Sequence, residues 1–208
     1  MKRRTLVRTL TTLGLAAAVS AQAAPVSYRI DPSHSEVGFT IRHLVSKVHG
    51  NFAKFKGTFT YDAANLAASS VTVEIPTASI NTGVERRDNH LRSADFFAAD
   101  SFPTITFASK SVKPLGKDSF EFTGDLTMRG VTRPVTLTAN VLGSGPGADG
   151  VGRMGFEAVG KLNRKDFGVL WNHQLDKGGF VLGDDVNLNI TVEAIEGAAP
   201  APAPAPQK

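Results

Sequence analysis

Apolar side chains recur at every second position through most of this chain, and that period admits little besides half-buried β-strands. Val37, Phe39, Ile41 and His43 share one parity. Phe55, Phe59 and Tyr61 follow, with Lys54, Lys56, Thr58 and Thr60 on the opposite face. The pattern repeats at Val71, Val73 and Ile75, at Ile105 and Phe107, and at Phe120, Phe122, Leu126 and Met128. It continues at Val135, Leu137, Ala139 and Val141, at Met154, Phe156, Ala158 and Leu162, and at Val186, Leu188, Ile190 and Val192. With Tyr28 to Ile30 as a first piece, the spacing predicts eight or nine strands.

The connections are turn-like. Met128-Arg129-Gly130-Val131 lies between two alternating runs and reads as a tight hairpin. Gly143 to Gly152 reads as a longer, mobile hairpin loop. One segment is expected to be helical. Thr82 is placed to cap it and Glu85 to complete a capping box. Val84 and Leu91 fall on one face, and Asp88 and Arg92 are spaced to pair at i,i+4. Asp95-Phe96-Phe97 adds a second short turn.

Many strands with one helical excursion make an all-β barrel or sandwich. Eight strands closed on themselves leave an interior just wide enough to be filled by side chains or to hold one small ligand. All 13 Phe lie beyond residue 24, so that interior is strongly apolar. The pattern leaves both outcomes open, a lumen packed shut or a lumen that takes an apolar ligand.

The ends read differently. Lys2, Arg3, Arg4 and Arg8 precede an apolar run from Leu10 to Val19, and Ala21-Gln22-Ala23 offers small residues for cleavage. That order predicts a secretory signal peptide over residues 1–23. The apolar run is about half of the ~20 residues that span a bilayer. Arg3-Arg4 also hints at the twin-arginine export route. The domain is expected over 24–196, and the Ala/Pro-rich segment 197–208 as a disordered, polyproline-like tail.

The signal changes the charge argument. The whole chain has 23 basic and 19 acidic residues. The four basic residues named above leave with the signal and no acid does, so the remainder is formally neutral. A neutral chain lacks the basic excess of a nucleic-acid binder. There is no cysteine, which excludes thiol catalysis, cysteine-ligated zinc, iron–sulfur clusters and c-type haem attachment. A chain of this length buries roughly 70% of its surface and stands without disulfides.

Five ordered motifs carry a family resemblance. They are Asp31-Pro32-Ser33-His34-Ser35-Glu36-Val37-Gly38-Phe39, the insert Glu85 to Phe97, Phe102-Pro103-Thr104-Ile105-Thr106-Phe107, the hairpin Gly124 to Val135, and Asn163-Arg164-Lys165-Asp166-Phe167-Gly168 with Gly183-Asp184-Asp185-Val186. Over about residues 27–195 the chain resembles the YceI-like polyisoprenoid-binding family. The resemblance implies an extended, eight-stranded antiparallel, lipocalin-like barrel with one short helical insert. It implies a periplasmic protein with an elongated cavity for an isoprenoid chain, such as a polyprenyl phosphate or an isoprenoid quinone. It brings no catalytic residues, no metal and no cofactor beyond the bound lipid. Stable membrane insertion is not expected, and family members are often dimers, so a homodimer is an open expectation.

A polyprenyl chain has no hydrogen bonds to offer, and its burial gains about 25 cal/mol per Å² of apolar surface. Val37, Phe39, Ile41, Phe55, Phe59, Phe107, Phe120 and Phe122 are the expected lining. Arg42, His43, His90 and Arg92 are the expected head-group contacts, where a strand end and the helical insert are taken to meet at the mouth. The plainer reading pairs Arg92 with Asp88 and packs His43 in the core. Two other functions stay open: an enzyme acting on a lipid or quinone with His43 or His90 as base, and a closed structural or stress-response barrel.

Other motifs carry less. Gly145 to Gly150 has dinucleotide-fingerprint spacing but lies between strands and contains Pro146. Asp166-Phe167-Gly168 lacks every other kinase element and reads as a bend. No Gly-x-Ser-x-Gly elbow is present. His34, His43, His49, His90 and His173 form no helical metal pair. Glu36, Glu74 and Glu157 lie on strands far apart in sequence.

Overall fold

A computed structural model describes residues 25–197 except Lys177. The expected signal peptide and the tail beyond Gly197 therefore lie outside the described residues. The strands are β1 (Val26–Ile30), β2 (Glu36–His43), β3 (Ser46–Phe52), β4 (Lys56–Tyr61), β5 (Ser70–Pro76), β6 (Ile80–Asn81), β7 (Thr104–Pro114), β8 (Ser119–Met128), β9 (Val131–Pro146), β10 (Gly152–Asn163) and β11 (Leu182–Glu196). One helix, α1 (Glu85–Arg92), lies in the connection between β6 and β7.

Eleven segments make eight walls. One edge of β11 pairs first with β2, from Leu182↔His43 to Thr191↔Glu36, and then with β1, from Ala194↔Ile30 to Glu196↔Tyr28. β1 and β2 are thus two halves of one wall, bent at Asp31–Ser35. β3 and β4 form the next wall, since β3 pairs with β2 and β4 with β1. β5 and β6 form the third. β7 to β11 follow as successive antiparallel neighbours, and the β1–β11 pairing closes the barrel. Among the described residues the short β6, paired to β3 alone, keeps an edge that no strand covers; closure of the other walls is how such sheets avoid edge-to-edge association.

The parity read from the sequence is the inward face. Ile75, Ile105, Phe107, Met128, Val135 and Leu137 form one buried cluster, and Tyr28, Met154, Phe156 and Ala194 form a second towards the opposite end. Polar residues face outward, as in the hydroxyl pairs Thr58–Thr72 and Thr123–Thr136. An apolar inside with a polar outside is the reverse of a transmembrane barrel.

Local chemistry departs from expectation at three places. The Gly143–Gly152 stretch is mostly strand: Gly143 pairs with Gly155 and Pro146 with Gly152, leaving a short turn at 147–151. Thr82 does not cap α1, whose N-cap is Val84 without a side-chain bond. The Thr82 amide and hydroxyl instead donate to Oδ1 of buried Asp88. Asp88 is therefore engaged, and Arg92 turns to the carbonyls of Ala78 (2.8 Å) and Ile80 (3.0 Å) rather than to Asp88. The tight hairpin is as expected, with Arg129 and Gly130 both at positive φ (51° and 74°) between the pair Met128↔Val131.

Gly124 shows how closely the inner wall is packed. A Cβ there would lie 2.6 Å from Cζ of Phe107 and 2.7 Å from Cα of Ser109. The Phe107 ring covers the glycine where the β7–β8 register shifts. The Gly124→Ala variant should lose about 1–3 kcal/mol from overpacking. Urea unfolding should show a lower midpoint at unchanged slope; an unchanged midpoint would mean that the wall yields freely.

Candidate ligand-binding site

The barrel is not packed shut. Phe120, Phe122, Leu126, Leu188, Ile190 and Val192 point inward yet are only half-buried. They border two interior cavities of about 200 Å³ and about 240 Å³. The inner cavity is walled by Val37, Phe55, Phe59, Phe107, Phe120 and Phe122. The outer one lies beneath α1 and is walled by Phe39, Ile41, His43 and His90. Phe52, Met128, Leu162 and Leu188 belong to both. The two are successive compartments of one elongated apolar space.

Nitrogen-bearing and charged side chains line only the outer of the two cavities. The polar lining of the inner cavity is Tyr61 and the hydroxyl residues Thr60, Ser69 and Ser70. The outer cavity adds Thr82, Arg87, Arg164 and Trp171 to the two histidines. Arg87 donates to Oγ1 (2.7 Å) and to the carbonyl (2.8 Å) of Thr82, so Thr82, Arg87 and Asp88 form one knot at the start of α1. Arg129 of the β8–β9 hairpin donates to the carbonyls of Ala94 (2.9 Å) and Phe96 and anchors the turn after α1. Nε2 of His90 is 2.9 Å from Oδ2 of Asp95. The His90 ring stands edge-on to Phe96 (5.0 Å) and to Trp171 (5.1 Å), which ties α1 to the segment after β10. Arg164 is buried and donates to the carbonyls of Val169, Trp171 and Gly183. Burial pushes its pKa below the usual guanidinium value, and Asp184 partly restores it.

Ten of the twelve expected site residues line this space. The exceptions are two arginines. Arg42 has the parity opposite to Ile41 and His43, so it lies outside and donates to the Leu44 carbonyl (3.0 Å). Arg92 fixes backbone, as described above. His43 and His90 do meet in one cavity, as the reading of strand end and insert anticipated. Sequence reasoning missed Phe52 and Phe156, which parity could have supplied. It also missed Arg87 and Trp171. The lone tryptophan lies in an aperiodic stretch and carried no signal.

Other polar clusters lie elsewhere. Glu36 and Glu157 accept from Asn51 and Asn140, and Glu74 pairs with Lys56, all on the outer face. Ligand atoms of Asp31, His34 and Glu193 lie within 4.8 Å of one another at the β1–β2 bend. They are already engaged, His34 with Asp31 (2.9 Å) and Glu193 with Arg153 (2.9 Å).

Two outcomes follow for these polar groups. Asp88→Ala removes a buried acceptor and leaves the Thr82 amide unpaired, so it should cost about 2 kcal/mol in chemical unfolding; no loss would show that the knot is dispensable. The hydrogen bond between His34 and Asp31 raises the His34 pKa above the ordinary imidazole value and lowers that of Asp31 below the ordinary carboxylate value. The charged pair therefore weakens as pH rises through the raised His34 value and as pH falls through the lowered Asp31 value. NMR titration should place His34 above the ordinary imidazole value, and Asp31→Asn should bring it down; an unmoved His34 would break the pairing.

Comparison with known proteins agrees with this architecture. The family model of the YceI-like domain matches residues 28–194. Protein YceI of Shigella flexneri is 45% identical over 177 residues, covering 84% of this chain and 89% of that protein. The crystal structure of the Campylobacter jejuni YceI protein superposes with a TM-score of 0.64 at 31% identity, covering 91% of this chain and 100% of that one. A polyisoprenoid binding domain from Saccharophagus degradans shares the fold, with a TM-score of 0.62 at 14% identity, covering 83% of this chain and 99% of that one. With its eight-walled barrel, apolar lumen and helical insert matched over nearly all described residues, the chain belongs to the YceI-like family.

Proposed function

We propose that this protein is a periplasmic carrier that holds a long isoprenoid or similar amphiphile lengthwise in the barrel. The observation that carries the reading is the unfilled apolar lumen, whose inward-facing Phe, Leu, Ile and Val walls are left half-exposed. Left in water, such surface is costly, and an apolar chain along it recovers about 25 cal/mol per Å². The polyisoprenoid binding domain of Saccharophagus degradans supports the choice of cargo. The confinement of charged and nitrogen-bearing side chains to the outer cavity supports the orientation. The chain runs inward past Leu188 and Leu162, and a phosphate or quinone head stays near His43, Arg87 and His90. The signal-like N-terminus supports export to the periplasm. The protein acts by binding and release, without a chemical step of its own.

The test is ligand content. Protein isolated from its own periplasm should release an isoprenoid or other long-chain amphiphile on denaturation, read by mass spectrometry. Leu162→Trp, at the wall shared by both cavities, should block the passage and lower bound chain about tenfold or more, at a stability cost of about 1–3 kcal/mol. Native circular dichroism confirms that the variant is folded. A folded Leu162→Trp protein with undiminished cargo would contradict a lengthwise ligand.

A further inference from the structure

Among the described residues nine large apolar side chains are exposed; Leu115, Leu142, Val151 and Val159 lie on the β7–β8 and β9–β10 strands and turns, and the other five lie at the α1 end. Leu44 and Val45 form the β2–β3 hairpin tip, and Val45 is fully exposed. Leu170 and Phe180 lie on the segment between β10 and β11, and both are more than two-fifths exposed. Three of these four adjoin a residue of the outer cavity wall: Leu44 follows His43, Leu170 separates Val169 from Trp171, and Phe180 precedes Val181. The Leu44 amide donates to the Val181 carbonyl (2.8 Å), which ties the hairpin tip to the Phe180 side of the rim. Val84, also exposed, leads into α1 on the cavity's cover. Apolar side chains therefore surround the one end of the barrel where the cavity carries charged and nitrogen-bearing side chains.

Cations stand beside them, together with the exposed acid Glu85 of α1. Arg42 and Lys47 face each other across the β2–β3 ladder below the tip. Among the described residues neither forms an ion pair. Arg86 is exposed on α1, and Nζ of Lys165 lies 5.8 Å from the centre of the Phe180 ring. The nearest rim acids are engaged, Asp95 by His90 and Asp184 by Lys165 (2.9 Å) and Arg164 (3.4 Å); Asp176 and Asp166 are exposed. Protruding aliphatic and aromatic tips flanked by cations are the chemistry of an interfacial contact, in which apolar groups enter the head-group boundary and cations meet anionic lipid.

We infer that the rim built from Leu44, Val45, Leu170 and Phe180, with Arg42 and Lys47 behind it, docks on an anionic phospholipid surface and presents the outer cavity to the bilayer. The contact is peripheral. Among the described residues no helix is long and apolar enough to cross a membrane, and the outer strand faces are mostly polar, with Leu142 and Val159 as exposed apolar exceptions. Docking gives a water-insoluble chain a path that avoids bulk solvent, and in that purpose alone it rests on the carrier reading.

The test uses the full mature protein and vesicles of phosphatidylcholine with phosphatidylglycerol at 3:1, free of isoprenoid, with co-sedimentation as the readout. The parent should bind, and less so in phosphatidylcholine alone or at high salt. The Val45→Glu/Leu170→Glu variant should bind about tenfold more weakly or worse, and Arg42→Gln/Lys47→Gln roughly 30-fold more weakly, at about tenfold per 1.4 kcal/mol and ~1 kcal/mol per cation near an anionic surface. Val159→Glu, exposed on the barrel wall, should bind like the parent. No parent binding, or equal binding by the rim variants, overturns the inference. So does a dimer that the rim changes dissociate without any vesicle binding, which would assign the rim to a second copy of the chain. Cargo released on denaturation is measured separately, so failure to dock and failure to carry are told apart.

Discussion

The structure depends on one geometric constraint. Eight walls closed on themselves fix a lumen of one size, and period-two alternation points every second side chain into it. Where large side chains meet glycine the lumen fills, as Phe107 does over Gly124 and Phe39 does over Gly50. Where they do not, apolar surface is left facing a void. Packed interiors seldom tolerate such voids, so the half-buried ring of Phe120, Phe122, Leu188 and Ile190 is the feature that calls for an occupant.

The second constraint is that one end must differ from the other. The insert between β6 and β7 supplies that difference. The Thr82–Arg87–Asp88 knot holds the start of α1, Arg92 ties it to the backbone at Ala78 and Ile80, and Arg129 holds the turn that follows. The His90–Trp171 contact joins it to the segment ahead of β11. The charged and nitrogen-bearing side chains of the lumen thereby gather under α1, and the opposite compartment keeps only hydroxyl groups among its apolar walls. A ligand with a polar head and a long apolar tail has one orientation that satisfies both.

The wall parity was legible in the sequence because a barrel strand is buried on one face only, and eight of the expected lining residues follow from it directly. The wall count was legible as eight or nine strands, but the breaks at 31–35, 53–55 and 77–79, which split three walls into halves, were not. The helix was legible but its anchoring was not. Thr82 and Asp88 are six residues apart and meet only because the chain turns at Gly83, whose φ is +75°. Arg42 and Arg92 lie outside the cavity lining for different reasons: Arg42 by parity, Arg92 because its fork is occupied by carbonyls that no local pattern reveals. Trp171 was invisible, since its segment has no regular period and is fixed by the buried guanidinium of Arg164.

The central claim is that a long apolar chain lies lengthwise through both compartments. Isotope-edited NMR of methyl-labelled protein loaded with a polyprenol reads this directly. The account predicts contacts from the ligand both to Ile190 and Val192 of the inner cavity and to Leu91 and Val181 of the outer one. Contacts confined to Leu44, Val45 and Leu170 outside the barrel, with the inner methyls unperturbed, would contradict it.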